Sequence, residues 1–268
     1  MRLPVSGLDV RFRAPDGNDD LAILEAAGNA LERAFAVLPR LAGFADGAGD
    51  VAFGWSSHPE KWAALTVTDF EMALLGLRRQ LFGDRVGCVF RDVAHKCGVR
   101  MEIEFSIAEF IRDVRPATPR WVRQSGDDPQ WFQIEGEALR FRLPTVEDQL
   151  KVLDEPQGAE LLRQRCVDAP KPGARALAKA ERAMEVMAPL VSRPLAGVCP
   201  ECGETVTMSL HVPRLLMEEL ELQSSGVHKE IDRIASAYHW DEASILAMPQ
   251  GRRGAYAEAI VERERVRI

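Results

Sequence analysis

Long apolar runs are missing from this chain. None approaches the roughly 18 residues that a membrane-crossing helix needs, and the opening Met1-Arg2-Leu3-Pro4-Val5-Ser6-Gly7 has no apolar core of the kind a secretory leader carries. The expectation is a soluble, cytoplasmic protein with no membrane association. Cysteine is scarce and odd in number, five in 268 residues, which fits a reducing compartment better than a disulfide scaffold. Positive charge is not in excess either. A formal net charge of -7 argues against broad non-specific nucleic-acid binding. The motifs of common enzyme classes are absent as well: no phosphate-binding glycine loop, no nucleophile elbow, no His-Glu-x-x-His helix and no triad. His228 and His239 have no carboxylate or cysteine partner at ligand spacing on a shared face. We expect no enzymatic activity.

What remains is an ordinary globular composition, 46% hydrophobic and 28% charged, long enough for one large or two small domains. Leu3 to Arg13 alternates loosely and ends in Ala14-Pro15-Asp16-Gly17-Asn18, which predicts a strand or hairpin arm and then a turn. Asp19 or Asp20 then caps one helix whose core face carries Leu24, Ala27, Leu31, Phe35 and Leu38, with Pro39 ending it. Thr68-Asp69-Phe70-Glu71 reads as a capping box opening a helix on Phe70, Leu74, Leu77 and Leu81. Val99, Met101, Ile103 and Phe105 alternate with charged residues, a half-buried strand, and Ser106 opens a short helix. Residues 116–130 read as a linker. Phe132 and Ile134 pair with Leu139, Phe141 and Leu143 across a hairpin, and Pro144-Thr145 caps a helix in which Asp148 suits the positive end of the dipole. After a second linker at 168–173, Ala174 to Leu190 predicts a helix with Leu177, Met184 and Met187 facing the core.

Two stretches echo each other. Aligned on Cys97-Gly98 and Cys202-Gly203, Met101 falls on Val206, Ile103 on Met208, Phe105 on Leu210, Ile107 on Val212, Phe110 on Leu215 and Ile111 on Leu216. Both read as a cysteine turn, an alternating strand and a short helix, which suggests two pseudo-repeated units that pair. The second opens with Cys199-Pro200-Glu201-Cys202-Gly203, a knuckle whose turn directs two thiolates toward one point. The first has Ala94 where a partner for Cys97 would stand, with His95 and Cys88 as poorly spaced substitutes. Zinc held by Cys97, Cys199 and Cys202 is one expectation. A relic knuckle of packed or exposed thiols is the other.

Near the C-terminus the pattern becomes dense. Val227, Ile231, Ile234 and Tyr238 form a helical stripe; Asp241 caps a short helix from Glu242 to Ala247; Pro249 ends it; Tyr256 and Ile260 pack the last helix. Tyr238-His239-Trp240 forms an aromatic corner at the first break, either a contact surface or a buried corner, and Arg252-Arg253 precedes the last helix as an exposed basic pair or a grip on an acidic partner or phosphate. Together with Leu3-Pro4-x-Ser6-Gly7, Phe141-Arg142-Leu143-Pro144-Thr145-x-x-Asp148 and the cysteine knuckle, the run Tyr238-His239-Trp240-x-Glu242-x-x-Ile245-Leu246-x-x-Pro249-x-x-Arg252-Arg253-x-x-Tyr256 resembles the baseplate hub assembly proteins of T-even contractile phage tails and related contractile injection systems. The resemblance spans nearly the whole chain and departs at Ala94, where relatives tend to carry a second knuckle. It implies a chaperone-like factor that binds baseplate hub or spike proteins, with no catalysis.

The expectation is therefore an α+β protein: two pseudo-repeated turn/strand/helix units with short antiparallel strands, flanking helices and a helical C-terminal module. The sequence divides into residues 1–115, a hairpin and helical connector at 116–172, a second unit at 173–224 and the module at 225–268. The module has no internal counterpart, which makes Tyr238, His239, Trp240, Glu242, Ile245, Leu246, Arg252, Arg253 and Tyr256 the candidate partner-binding residues. The rival reading is a zinc-ribbon and helix-turn-helix nucleic-acid binder, with Arg263, Arg265 and Arg267 at alternate positions. Glu258, Glu262 and Glu264 in the same segment would repel phosphate.

Overall fold

A computed structural model describes residues 1–45, 51, 53, 59–90, 101–170, 172–199 and 201–265. In chain order its elements are β1 (Val10–Phe12), α1 (Gly17–Glu25), α2 (Ala30–Leu41), β2 (Ala42–Phe44), α3 (Pro59–Ala64), α4 (Val67–Phe82), β3 (Arg85–Phe90), β4 (Met101–Ser106) and α5 (Ile107–Asp113). There follow β5 (Val122–Gln124), β6 (Phe132–Ile134), β7 (Arg140–Phe141), α6 (Val146–Val152), α7 (Gly158–Cys166), β8 (Val167–Asp168) and α8 (Ala174–Met187). The chain then forms β9 (Pro194–Val198), β10 (Thr205–Ser209), α9 (Val212–Ser224), α10 (Val227–Tyr238), α11 (Glu242–Leu246) and α12 (Gln250–Arg265). Helices with short antiparallel strands in small sheets make an α+β protein with a helical C-terminal region, as the sequence predicts.

Two compact units emerge, each assembled from separated stretches: Met1–Val10 with His58–Val212, and Arg11–Ser57 with Pro213–Ile268. The four consecutive segments read from the sequence cut the chain differently. Local composition reports changes along the chain, whereas a unit is defined by which distant stretches share a core.

In the first unit, α4 is buried almost all round from Thr68 to Arg78, so it is a central helix rather than a surface one. Its start differs from the expected box. Thr66, not Thr68, is the cap, its hydroxyl accepting from the Asp69 N–H at 3.2 Å. Thr66 and Thr68 each stand three residues before a carboxylate, and with Thr66 as the cap Asp69 is buried, its carboxylate accepting from the Val5 and Ser6 amides at 2.9 and 2.7 Å. Thr68 and Glu71, released from capping, bond elsewhere. The Thr68 hydroxyl donates to the Pro189 carbonyl at 3.0 Å, and Glu71 accepts from the Ser192 N–H and hydroxyl at 2.7 and 2.6 Å. Burial raises the Glu71 carboxyl above its ordinary value, against those two bonds.

The echo between the two stretches includes the helix that precedes each hairpin. The order helix, hairpin, helix occurs as α4-β3-β4-α5 and again as α8-β9-β10-α9. The leading helices end at Phe82 and Met187 and the trailing helices begin at Ile107 and Val212, the same displacement along the chain in both cases. Capping N–H groups sit in matching places, Gly83 to the Arg79 carbonyl and Ala188 to the Met184 carbonyl. Both hairpins are antiparallel, with Phe90 opposite Met101 and Val198 opposite Thr205 at the ends joined by the connecting residues. Ala94, His95 and the Cys97-Gly98 turn lie outside the described residues. The last helix of the second copy, α9, passes from the first unit into the second at Pro213.

A four-stranded antiparallel sheet, β5-β6-β7-β8, completes the first unit. The expected linker at 116–130 contains β5, because Val122 to Gln124 finds a partner in β6. Val122, Ile134, Leu139 and Phe141 pack against Ala176, Ala180, Ala183 and Met187 of α8, with Leu177 and Met184 at the margin. The alanines, having no bulk beyond Cβ, let the helix lie close on the sheet. The Leu177, Met184 and Met187 stripe is thus core, as expected.

In the second unit the single helix expected from Asp19 to Leu38 is two. Gly28 adopts φ +99° and Asn29 caps α2, its side chain accepting from Leu31 and Glu32 amides. That cap starts a new helix more favourably than continuing the old one. Pro39 lies within the last turn of α2 and does not end it. Asp16 caps α1, while Asp19 is buried and accepts from Arg13 and Arg40.

Candidate partner-binding surface

The aromatic corner is made by the end of a helix. After Tyr238, the last residue of α10, His239 takes the left-handed conformation (φ 56°, ψ 31°) and donates its N–H to the Ala235 carbonyl at 2.8 Å. Glycine or asparagine usually fills that position, since a Cβ there is disfavoured. The reversal brings Trp240 back onto Tyr238, their rings stacked with centroids 5.0 Å apart. Asp241 then caps α11, accepting from the Ser244 N–H at 2.9 Å and its hydroxyl at 2.7 Å, which holds the Asp241 carboxyl below its ordinary value. Pro249 follows α11, and α12 carries Tyr256 edge-on to both rings at 5.8 and 5.1 Å.

Of the expected contact residues, the fold turns some inward and others outward. Ile245 and Leu246 are buried, Ile245 in a core cluster with Ile234, Met248 and Ile260. Tyr238 and Tyr256 are half-buried against that cluster, whereas Trp240, at 38% exposure, stands outside it. His239, Glu242 and Arg252 are exposed. Arg253 is not the exposed member of a basic pair; it is 1% exposed. Its guanidinium bonds Asp20, donates to Glu230 at 2.6 Å and reaches the Met248 carbonyl at 3.3 Å. Asp20 also accepts from the Ser224 hydroxyl at 2.9 Å, yet burial raises its carboxyl above the ordinary value in spite of Arg253 and Ser224. Gly17 is required here, because a Cβ would lie 2.7 Å from the Arg253 guanidinium and 2.8 Å from the Leu246 backbone. From the sequence Asp20 reads only as a possible helix cap. Nothing local marks it as the counter-ion of a residue 233 positions away.

The other motif stretches have structural duties. Leu3-Pro4-Val5-Ser6-Gly7 turns back on itself, the Gly7 N–H donating to the Leu3 carbonyl, so that two of its amides face Asp69. In Phe141-Arg142-Leu143-Pro144-Thr145-x-x-Asp148, Thr145 and Asp148 form a full capping box on α6. Asp148 is buried and accepts from both Arg142 terminal nitrogens, at 2.5 and 2.7 Å, and from Arg165 Nε at 2.8 Å. Burial opposes its charge, but Arg142, Thr145 and Arg165 outweigh burial and hold the carboxyl well below the usual carboxylate range. The Cys166 thiol nearby is buried and pushed up to about 11 by that burial, so it is protonated at neutral pH.

At the knuckle, the Cys199 N–H donates to the Glu204 carbonyl and the Gly203 N–H to the Cys199 carbonyl, both at 2.9 Å, with Gly203 at φ +75°. The tight turn at the tip of the β9–β10 hairpin therefore forms as the sequence predicts. Cys199 is buried and Cys202 exposed. Cys97 lies outside the described residues. Among the described residues no group of three or more His, Cys, Asp or Glu side chains is arranged to hold a metal ion, and no helix among them is long and apolar enough to cross a membrane. Comparison with protein-family models, with curated proteins and with solved structures finds no match.

Proposed function

We propose that this protein is a non-enzymatic assembly factor, a chaperone that binds baseplate hub or spike components in the cytoplasm while a phage-like contractile tail or injection system is built. The observation that carries the reading is the Tyr238, Trp240 and Tyr256 cluster, with Trp240 exposed over two half-buried tyrosines. Aromatic side chains supply much of the energy of protein interfaces, and this trio is set by the left-handed cap at His239 and by the ring contacts with Tyr256. The motifs on which the family resemblance rests support it in a second way. They hold helix starts and buried charges in both units, so they specify the fold that presents the surface.

Affinity purification of the tagged chain from its producing cells, followed by mass spectrometry, tests the proposal. Hub or spike proteins should be enriched, and deletion of the gene should leave baseplates defective by electron microscopy. Normal baseplates after deletion would count decisively against the reading. A low-salt gel shift addresses the nucleic-acid alternative, which predicts salt-sensitive DNA binding.

Zinc belongs to the proposal as a structural ion. The Cys199–Cys202 turn would supply two thiolates, half of a closed tetrahedral set. Metal analysis of protein purified without a histidine tag should find close to one equivalent, and a negligible content would remove zinc from the account.

A further inference from the structure

The proposed function leaves the chemistry of the partner open, and the outer face of α12 narrows it. The Arg252 guanidinium lies over the Tyr256 ring at 5.9 Å, and the Arg263 guanidinium over the Tyr238 ring at 5.1 Å. Arg263 also donates to the Tyr238 hydroxyl at 2.5 Å. With Trp240 stacked on Tyr238 and edge-on to Tyr256, the five side chains form one ladder with an arginine at each end. A guanidinium resting on an aromatic face keeps its planar fork of donors in a fixed orientation.

Neither of these arginines makes an ion pair among the described residues, in contrast to Arg253, which meets two carboxylates. The spacing from 252 to 263 is close to three helical turns, which puts both on one face of α12, roughly 16 Å apart along its axis. Glu258, Glu262 and Glu264 fall on other sides of the helix by the same periodicity. The face therefore offers two oriented positive charges that make no ion pair among the described residues, with an exposed indole beside them.

We infer that this face binds an extended acidic segment of a partner protein. At about 3.3 Å per residue, a chain of roughly five residues spans the two guanidiniums, so carboxylates near both ends meet the arginines and an apolar side chain between them meets Trp240. The inference rests on the proposed function only in taking the partner to be a protein. A nucleic acid fits less well. Its phosphates run on past the two arginines toward the glutamates on either side, on a chain of net charge -7.

Fluorescence anisotropy with the full chain tests this, using fluorescein-labelled octaglutamate, octalysine and a fifteen-residue oligothymidine as probes at low salt. Octaglutamate should bind, more weakly as salt rises, and octalysine should not. The double variant Arg252→Glu with Arg263→Glu should lose at least tenfold in affinity with an unchanged thermal midpoint. Trp240→Ala, a change that leaves both charges in place, should weaken binding of an acidic octapeptide with leucine at its centre more than that of octaglutamate. Equal octaglutamate affinity in wild type and double variant would overturn the inference, as would tighter binding of oligothymidine abolished by the same variant. The two readings fail separately. If wild type and double variant captured hub or spike proteins equally, the assembly role would stand and this surface would fall. If the variant lost peptide binding while wild type captured no hub or spike protein, the surface would stand and the assembly role would fall.

Discussion

Arg252 and Arg253 are adjacent in the sequence and meet opposite environments. Arg252 lies in solvent across a tyrosine ring; Arg253 is buried between Asp20 and Glu230. Arg253 sits in the first turn of α12, where the helix dipole disfavours a positive charge. One carboxylate would leave that charge poorly compensated, and two are present. The first unit contains the inverse arrangement. There Asp148 sits in the first turn of α6, where the dipole favours it, and two arginines converge on it. The difference shows in the carboxyls: Asp148 is held well below its ordinary range, while Asp20, sharing one arginine with Glu230, is raised by burial. In both cases the buried cluster fixes a helix start. In the second unit, that leaves the neighbouring Arg252 at the surface.

The largest effect should come from breaking the buried arginine. Arg253→Met leaves Asp20 and Glu230 without a counter-ion and should cost about 3–5 kcal/mol, read by urea denaturation. Asp148→Asn should cost less, about 2–4 kcal/mol, because Arg142 and Arg165 are partly exposed and can turn to water. A reversed order would mean that the dipole and burial argument is wrong. Gly17→Ala, which forces a methyl against the Leu246 backbone and Arg253, should cost about 1–3 kcal/mol. Smallest is Trp240→Ala, under about 1 kcal/mol for a side chain already more than a third exposed.

Acid titration separates the two clusters by sign. The folded Asp148 carboxyl is depressed, so its contribution is present above the unfolded value near 4 and is lost as pH falls through the folded value. The stability gap between wild type and Asp148→Asn should therefore shrink below about pH 4. The folded Asp20 carboxyl is raised, so its contribution is full below about pH 4 and is lost as pH rises through the folded value. The gap between wild type and Asp20→Asn should accordingly widen in acid. Chemical denaturation at a series of pH values checks both, and parallel trends would contradict the assignment.

Local pattern was enough to find most elements. The α6 cap at Thr145, the β6–β7 hairpin, the α8 face and the α11 cap at Asp241 all follow from neighbours within a few residues. The α4 start is ambiguous locally because Thr66 and Thr68 each stand three residues before a carboxylate, and Asp69, three after Thr66, accepts from the Val5 and Ser6 amides far upstream. The break between α1 and α2 leaves no mark in the hydrophobic periodicity, which continues across it while Gly28 and Asn29 interrupt the backbone. At the candidate surface, the stacked corner was readable as an aromatic cluster. Which arginine is buried was not readable, since that depends on Asp20 and Glu230 arriving from other elements. Ile245 and Leu246 follow the same logic: apolar residues on a short helix gave no sign of which side the core would take.

The central claim is that the outer ladder binds and the inner cluster only holds it in place. The most direct test is capture of partners from producing cells by wild type, by Arg252→Glu with Arg263→Glu, and by Arg253→Lys, each with its thermal midpoint. The account predicts that the double variant keeps its stability and loses hub or spike proteins, whereas Arg253→Lys is less stable but still captures them while folded. Undiminished capture by a stable double variant would contradict it.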